Sequence, residues 1–92
     1  MIDHRFIKDL IDNVFIASGN AAMNTSELYD EIKKVTPEVS RKQVWQTLND
    51  SRFVGHYVRI LESAGRHLYQ IEENCFRRVS RGTNPRAEQS LE

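Results

Sequence analysis

Apolar residues near the start of the chain recur at helical spacing. Between residues 3 and 18 they form one wide stripe, at Phe6, Ile7, Leu10, Ile11, Val14 and Phe15. The pattern predicts a first amphipathic helix over this segment. Gly19-Asn20 ends the helix, because both residues tolerate a positive φ. Ala21 to Asn24 then forms a short extended link, with one β-bridge at most.

A second helix follows, capped by Thr25 or Ser26. Its inner side is apolar, at Leu28, Tyr29, Ile32 and Val35. Its outer side is charged, with acidic residues in the first turn and basic residues in the last. Because this order suits the helix dipole, the segment is a strong helix candidate.

The segment Val35-Thr36-Pro37-Glu38-Val39-Ser40 predicts a tight turn, because a helix cannot continue through its proline. Ser40 and Gln43 fit the capping-box pattern, so a third helix is expected over residues 41–49. A rotation of about 100° per residue divides that helix into sides. The inner positions are Val44 and Leu48, the outer positions are Lys42, Gln43, Gln46 and Asn49, and the flanks are Arg41, Trp45 and Thr47.

After Asp50-Ser51 the period changes to two. Val54, His56, Val58 and Ile60 alternate with Gly55, Tyr57, Arg59 and Leu61. Leu68 to Ile71 supplies a returning strand, and Glu62 to Gly65 is the hairpin loop between the two strands. The predicted domain therefore covers residues 1–73. Residues 74–92 are expected to form a basic, flexible tail, in which Cys75, Phe76 and Val79 could still pack.

Composition limits the class of protein. Apolar residues make up 39% of the 92 residues and charged residues 28%, which is typical of a single soluble domain. No secretion signal or membrane span is present, and one cysteine, Cys75, cannot form an internal disulfide. These features indicate the cytoplasm. The net charge of zero argues against a general nucleic-acid binder, yet residues 37–71 hold five basic and three acidic side chains.

The chain offers little for metal binding or catalysis. The soft metal ligands apart from the methionines are His4, His56, His67 and Cys75, and no two are spaced as a helical ligand pair. A glycine-rich phosphate loop, a nucleophile elbow and a paired-carboxylate motif are all missing from the sequence. We therefore expect a protein that is not an enzyme and that holds no metal and no cofactor.

Three stretches resemble the winged helix-turn-helix superfamily of prokaryotic DNA-binding regulators. They are Ser26-Glu27-Leu28-Tyr29, Ser40 through Leu48, and Gly65-Arg66-His67-Leu68-Tyr69. The resemblance implies an α+β fold of three helices and a C-terminal β-hairpin wing, in the order α-(β)-α-α-β-β. It also implies a bacterial or phage transcription regulator that binds double-stranded DNA, with the third helix in the major groove and the wing on the backbone or minor groove.

The residue types at these positions suit such contacts. Amide side chains can match base edges, and basic side chains can hold phosphates. The candidate DNA-binding residues are Ser40, Arg41, Lys42, Gln43, Gln46, Asn49, Arg52, Arg66 and His67. The alternative is that they form the solvated outer face of an ordinary surface helix.

Several alternatives stay open. The same fold serves as a protein-protein interaction adaptor, which the zero net charge and Trp45 favour. Trp45 could stack on nucleic acid, or it could close the edge of the core. RNA or single-stranded partners lack a supporting motif, and Tyr57 and Tyr69 fit sheet packing better than a base platform. Because one recognition helix reads only a short half-site, a homodimer is possible, through the first helix or the segment around Phe76.

Overall fold

A computed structural model describes residues 4–62 and 65–82 of the chain. The described part is α+β, with four α-helices and one two-stranded antiparallel sheet, a layout compatible with a winged helix. The elements are α1 (His4–Ala17), α2 (Thr25–Lys33), α3 (Arg41–Leu48), β1 (Tyr57–Leu61), β2 (His67–Ile71) and α4 (Glu73–Gly82). A short 3-10 helix, Ser51–Phe53, connects α3 to the sheet. None of the described helices has the length and apolarity needed to span a bilayer.

The core lies between α1, α2, α3 and the inner face of the hairpin. Ile7, Ile11 and Phe15 of the predicted stripe on α1 are fully buried. They meet buried residues from every other part of this core: Leu28, Ile32, Val39, Val44, Leu48, Tyr69 and Ile71. Burial of one such apolar side chain stabilises the fold by about 1.5–3 kcal/mol, so the stripe on α1 is the main source of cohesion among the helices.

Helices α2 and α3 both begin at a capping box. The Ser40 hydroxyl accepts from the Gln43 backbone N–H at 3.1 Å, and the Gln43 side chain accepts from the Ser40 N–H at 2.8 Å. The predicted start of α3 is therefore confirmed. The predicted cap of α2 is wrong, because Asn24 and Glu27 form the same reciprocal pair one residue earlier than Thr25.

The end of α1 is attached directly to the sheet. Gly19 and Asn20 have φ values of 69° and 64°, which confirms the predicted helix stop. The Asn20 side chain then donates to the Ile71 carbonyl and accepts from the Ile71 N–H, both at 2.9 Å. Met23 forms an isolated bridge with Tyr69, which confirms the expected extended link. These bonds hold the hairpin against the helical core.

The hairpin pairs Tyr57 with Ile71 at its base and Leu61 with His67 near its tip. The first strand was expected from Val54 onward, but that expectation is wrong. Val54 lies in a turn and is 82% exposed, because the 3-10 helix and Gly55, with a φ of 85°, intervene before β1. The loop prediction falls partly on residues 63 and 64, which lie outside the described residues.

The helix α4 corrects the expected tail. Residues 73–82 form a helix, so the prediction of a flexible tail is wrong for 74–82, and residues 83–92 lie outside the described part. Three side chains pack against the core, as the spacing of Cys75, Phe76 and Val79 allows. The basic residues between these side chains led to the prediction of a tail, although the apolar ones have the spacing of a short amphipathic helix. A further correction concerns Val35, which lies beyond the end of α2 and is 77% exposed.

Candidate nucleic-acid interface

The exposed side of α3 is rotated from the predicted side. Its exposed residues are Arg41, Lys42, Trp45 and, at the C-cap, Asn49. Thr47 is fully buried, and its hydroxyl donates to the Gln43 carbonyl at 2.8 Å. The inner side of α3 therefore includes Thr47 in addition to Val44 and Leu48. The observed exposed side of α3 is therefore turned from the predicted side by less than the rotation between two consecutive residues, which is about 100°.

Trp45 does not close the core, so that interpretation is wrong. Its side chain is 53% exposed. Because Trp45 lies one turn after Arg41, both side chains project from the same side of α3. A large aromatic ring thus stands on the outward surface of the helix that was expected to bind DNA.

The three amide side chains differ in availability. The Gln43 oxygen is held in the capping box. The Asn49 amide nitrogen donates to the Trp45 carbonyl at 2.9 Å and lies 3.4 Å from the Tyr69 hydroxyl. Gln46 is half-buried and makes no side-chain hydrogen bond with any described residue. Of the three amides, Gln46 would therefore break the fewest hydrogen bonds within the protein on contact with a base.

Two neighbouring grooves meet at Trp45. The first has a volume of about 350 Å³ and lies between the start of α2, α3 and the hairpin tip; its lining includes Thr25, Ser26, Trp45, Gly65, Arg66 and His67. The second has a volume of about 550 Å³ and is lined by Thr25, Ser26, Arg41, Lys42 and Trp45. We call the surface formed by these eight residues the Trp45 face. It brings Arg41, Lys42, Arg66 and His67 of the candidate set together.

The charged side chains of the Trp45 face are all basic. Arg41 donates to the Ser26 hydroxyl at 3.2 Å, which links α3 to the start of α2. Lys42 makes no ion pair with a described residue. Arg66 lies 3.3 Å from a Glu62 oxygen, but that oxygen accepts no hydrogen bond from any described group. The Arg66 side chain is 63% exposed, so its guanidinium can face a phosphate while it stays beside the Glu62 carboxylate.

Arg52 lies outside the Trp45 face. Its guanidinium donates to both oxygens of Asp50, at 2.8 and 3.2 Å, and His4 lies 2.9 Å from the same carboxylate. The hydrogen bonds from Arg52, and then that from His4, hold the pKa of Asp50 well below its usual value. Arg52 thus takes part in a charged cluster at the start of α1, and the structure does not bring it to the other candidates. Ser40 caps α3 and lines neither groove.

Four members of the Trp45 face are absent from the predicted candidate set. Thr25 and Ser26 were expected only as caps, Gly65 only as part of the hairpin loop, and Trp45 was left between a contact with nucleic acid and the edge of the core. The available signal was the four-residue spacing from Arg41 to Trp45, which places a cation and an aromatic ring on one side.

The described residues hold no group of three or more histidine, cysteine or acidic side chains arranged for a metal ion. Comparison of the chain with protein-family models, with curated proteins and with solved structures found no match. The function is therefore argued from the geometry and charge of the Trp45 face.

Proposed function

We propose that this chain is a winged helix-turn-helix protein that binds double-stranded DNA in a sequence-dependent manner and regulates transcription, which places it in the cytoplasm. The observation that carries the proposal is the Trp45 face. On it, the outward side of α3, the start of α2 and the tip of the hairpin form one surface whose charges are all basic.

The dimensions suit a major groove. Helix α3, like any α-helix, is about 10–12 Å in diameter with its side chains. The major groove is about 12 Å wide and accepts a helix with its side chains. Arg41 and Lys42 occupy the first turn of α3, where they reach phosphates or base edges. Trp45 then faces the floor of the groove, where its ring suits apolar contact with a thymine methyl group.

The hairpin and α2 provide the flanking contacts. Arg66 and His67 are exposed near the hairpin tip and can hold phosphates on one side of α3. Thr25 and Ser26 line the same groove as the hairpin tip and form the first turn of α2, where hydroxyls and backbone N–H groups favour an anion. The proposal thus places phosphate contacts beside the inserted helix, at the hairpin tip and at the start of α2. It includes no catalytic step and no cofactor.

A titration followed by amide-resolved NMR tests the proposal. The labelled chain is mixed with a random-sequence duplex at low and at near-physiological salt. We expect salt-sensitive shifts at residues 41–49 and at Gly65 and Arg66, with α4 unaffected, because phosphate contacts release counterions. An absence of shifts at low salt would overturn the DNA proposal.

A protein-protein interaction adaptor is the second candidate. The observation that favours it is Trp45, since a tryptophan that is 53% exposed is a common anchor of protein interfaces, and the net charge of the chain is zero. Under this alternative the Trp45→Ala variant loses a protein partner while the duplex gives no salt-sensitive shifts. The same titration therefore separates the two candidates.

A further inference from the structure

A second surface of the chain is apolar and lies away from the Trp45 face. A groove of about 780 Å³ runs between α1 and α2, and Leu10, Val14, Ile32 and Val35 supply apolar parts of its lining. It shares no lining residue with the two grooves at Trp45. The two surfaces adjoin at the start of α2, where Glu27 of this groove follows Thr25 and Ser26 of the Trp45 face.

The charge of the groove is one-sided. Its wall on α2 carries Glu27, Asp30 and Glu31, and no lysine, arginine or histidine lines it within residues 4–62 and 65–82. Asp30 and Glu31 form ion pairs with Lys33 and Lys34, at 3.7 and 3.0 Å, but all four side chains are at least half exposed. Such exposed pairs contribute little stability. A cationic ligand can replace them at low cost.

The length of the groove suits a short helix. Its side on α1 extends from Leu10 to Ala17, eight residues, which is about 12 Å at 1.5 Å per residue. That length equals two to three turns of a second helix. Apolar side chains at i, i+4 and i+7 of such a helix would contact Leu10, Val14 and Val35.

We propose that the α1–α2 groove binds an amphipathic helix of a partner protein, with an apolar stripe in the groove and lysine or arginine residues beside the acidic wall of α2. The charge complementarity of that wall selects a basic helix over an acidic one.

A second copy of this chain does not fit the groove as well. Among the described helices, α4 carries the most arginines, yet its apolar side chains Cys75, Phe76 and Val79 already pack against its own core. A partner copy could present that stripe only by detaching α4. The expected occupant is therefore a different protein.

The probe for the test is a fluorescein-labelled peptide of about 14 residues, with leucines at helical spacing and lysines beside them. Its binding to the intact chain is followed by fluorescence anisotropy at near-physiological salt. We expect the double variant Asp30→Lys and Glu31→Lys to weaken binding at least about tenfold, because two attractions become repulsions. Val35→Ser should weaken binding several-fold, because it removes apolar contact without a change of charge, and it changes a residue that is 77% exposed.

Matched controls separate this surface from a general charge effect. The double variant Glu38→Lys and Glu73→Lys makes the same change of net charge at exposed residues outside the groove. It should leave binding within about twofold of the original chain. A scrambled peptide of the same composition, without an apolar stripe, should bind at least about tenfold more weakly.

Three results would overturn the proposal. The first is an equal loss of binding in the control double variant, and the second is equal binding of the scrambled peptide. The third is self-association of the chain that Val35→Ser abolishes in sedimentation experiments, because the groove would then belong to a second copy. Loss of peptide binding confined to the groove variants supports the proposal whatever the duplex titration shows.

Discussion

Asp12 is the carboxylate through which α1 holds the base of the hairpin. Its side chain is 7% exposed and accepts from the Tyr57 hydroxyl at 2.7 Å and from the Lys8 ammonium at 2.9 Å. The His56 Nε2 lies 3.1 Å from one of its oxygens. Burial opposes ionisation of Asp12, but the hydrogen bonds from His56, Lys8 and Tyr57 outweigh it and lower the pKa of Asp12. We expect Asp12→Ala to destabilise the fold strongly.

The loss of stability in Asp12→Ala can be estimated from the polar groups that lose Asp12 as a partner. Without Asp12, the Tyr57 hydroxyl keeps only the Lys8 carbonyl at 3.4 Å, and a buried polar group without a partner costs about 1–3 kcal/mol. Removal of one member of a buried ion pair costs about 3–5 kcal/mol. Because the Lys8 side chain is 22% exposed and can reach water, we take the lower end. Asp12→Ala should therefore lower the free energy of unfolding by about 3 kcal/mol.

Urea denaturation followed by circular dichroism measures this loss. Asp9→Ala is the matched control, because Asp9 is an exposed carboxylate on the same helix; it should change the free energy of unfolding by less than about 0.5 kcal/mol. Asp12→Asn retains an acceptor for Tyr57 but loses the charge and the acceptor for Lys8, so its loss should be about 1–2 kcal/mol.

The pH dependence has a definite sign. Since the pKa of Asp12 is lowered in the folded state, its stabilisation is complete above the ordinary value of 3.8 and disappears as the pH falls through the lowered pKa. The wild-type chain should therefore lose more stability than Asp12→Asn on acidification below pH 3.8. The reasoning is refuted if Asp12→Ala costs less than about 1 kcal/mol, or if both chains show the same acid slope.

Four further substitutions test the proposed DNA contacts of α3 and the hairpin, and the cap of α3. Arg66→Ala should weaken binding to all duplexes alike and reduce the salt slope by about one. Trp45→Ala should lower duplex affinity about tenfold or more, through lost apolar contact in the groove. Gln46→Ala should relax sequence preference, as measured with a panel of single-base variants of a selected site. Ser40→Ala should lower the free energy of unfolding by about 1 kcal/mol in urea, through loss of the cap on α3.

Arg77→Ala is the matched control for Arg66→Ala. Arg77 is also an exposed arginine paired with a glutamate four residues away, but it lies on α4, outside the Trp45 face. Its replacement should leave the duplex affinity within about twofold. Equal losses from Arg66→Ala and Arg77→Ala would assign the binding to general charge. An unchanged affinity in Trp45→Ala would contradict the placement of α3 in the groove.

Local chemistry was sufficient to predict the framework. The stripe on α1, the stop at Gly19-Asn20, the capping box from Ser40 to Gln43 and the returning strand each depend on residues within one or two turns of one another. Backbone geometry fixes such relations before any distant contact forms. The capping box at Ser40 also placed Arg41 and Lys42 in the first turn of α3, which made them candidate residues.

Prediction from local sequence failed where a segment could adopt either of two conformations. Val54 has strand propensity, yet a 3-10 helix and a turn at Gly55 occupy that segment. Phe76 and Val79 form a short stripe among arginines, and contact with α1 stabilises it as α4. In each case, packing against a distant element decided the conformation, because propensity alone differs by less than about 1 kcal/mol per residue.

The sequence by itself determined the order of α1, α2, α3 and the two hairpin strands, the start of α3 and the basic residues of the proposed nucleic-acid face. Only the tertiary structure decided that Trp45, Ser26 and Arg66 share one surface, that Arg52 belongs to another cluster, and that Asp12 joins Tyr57 across 45 residues. The physical reason is that these relations depend on the packing of helices and the register of the hairpin. Both depend on many apolar contacts between residues that are far apart in the sequence. Short spacings along the chain do not show which of these contacts form.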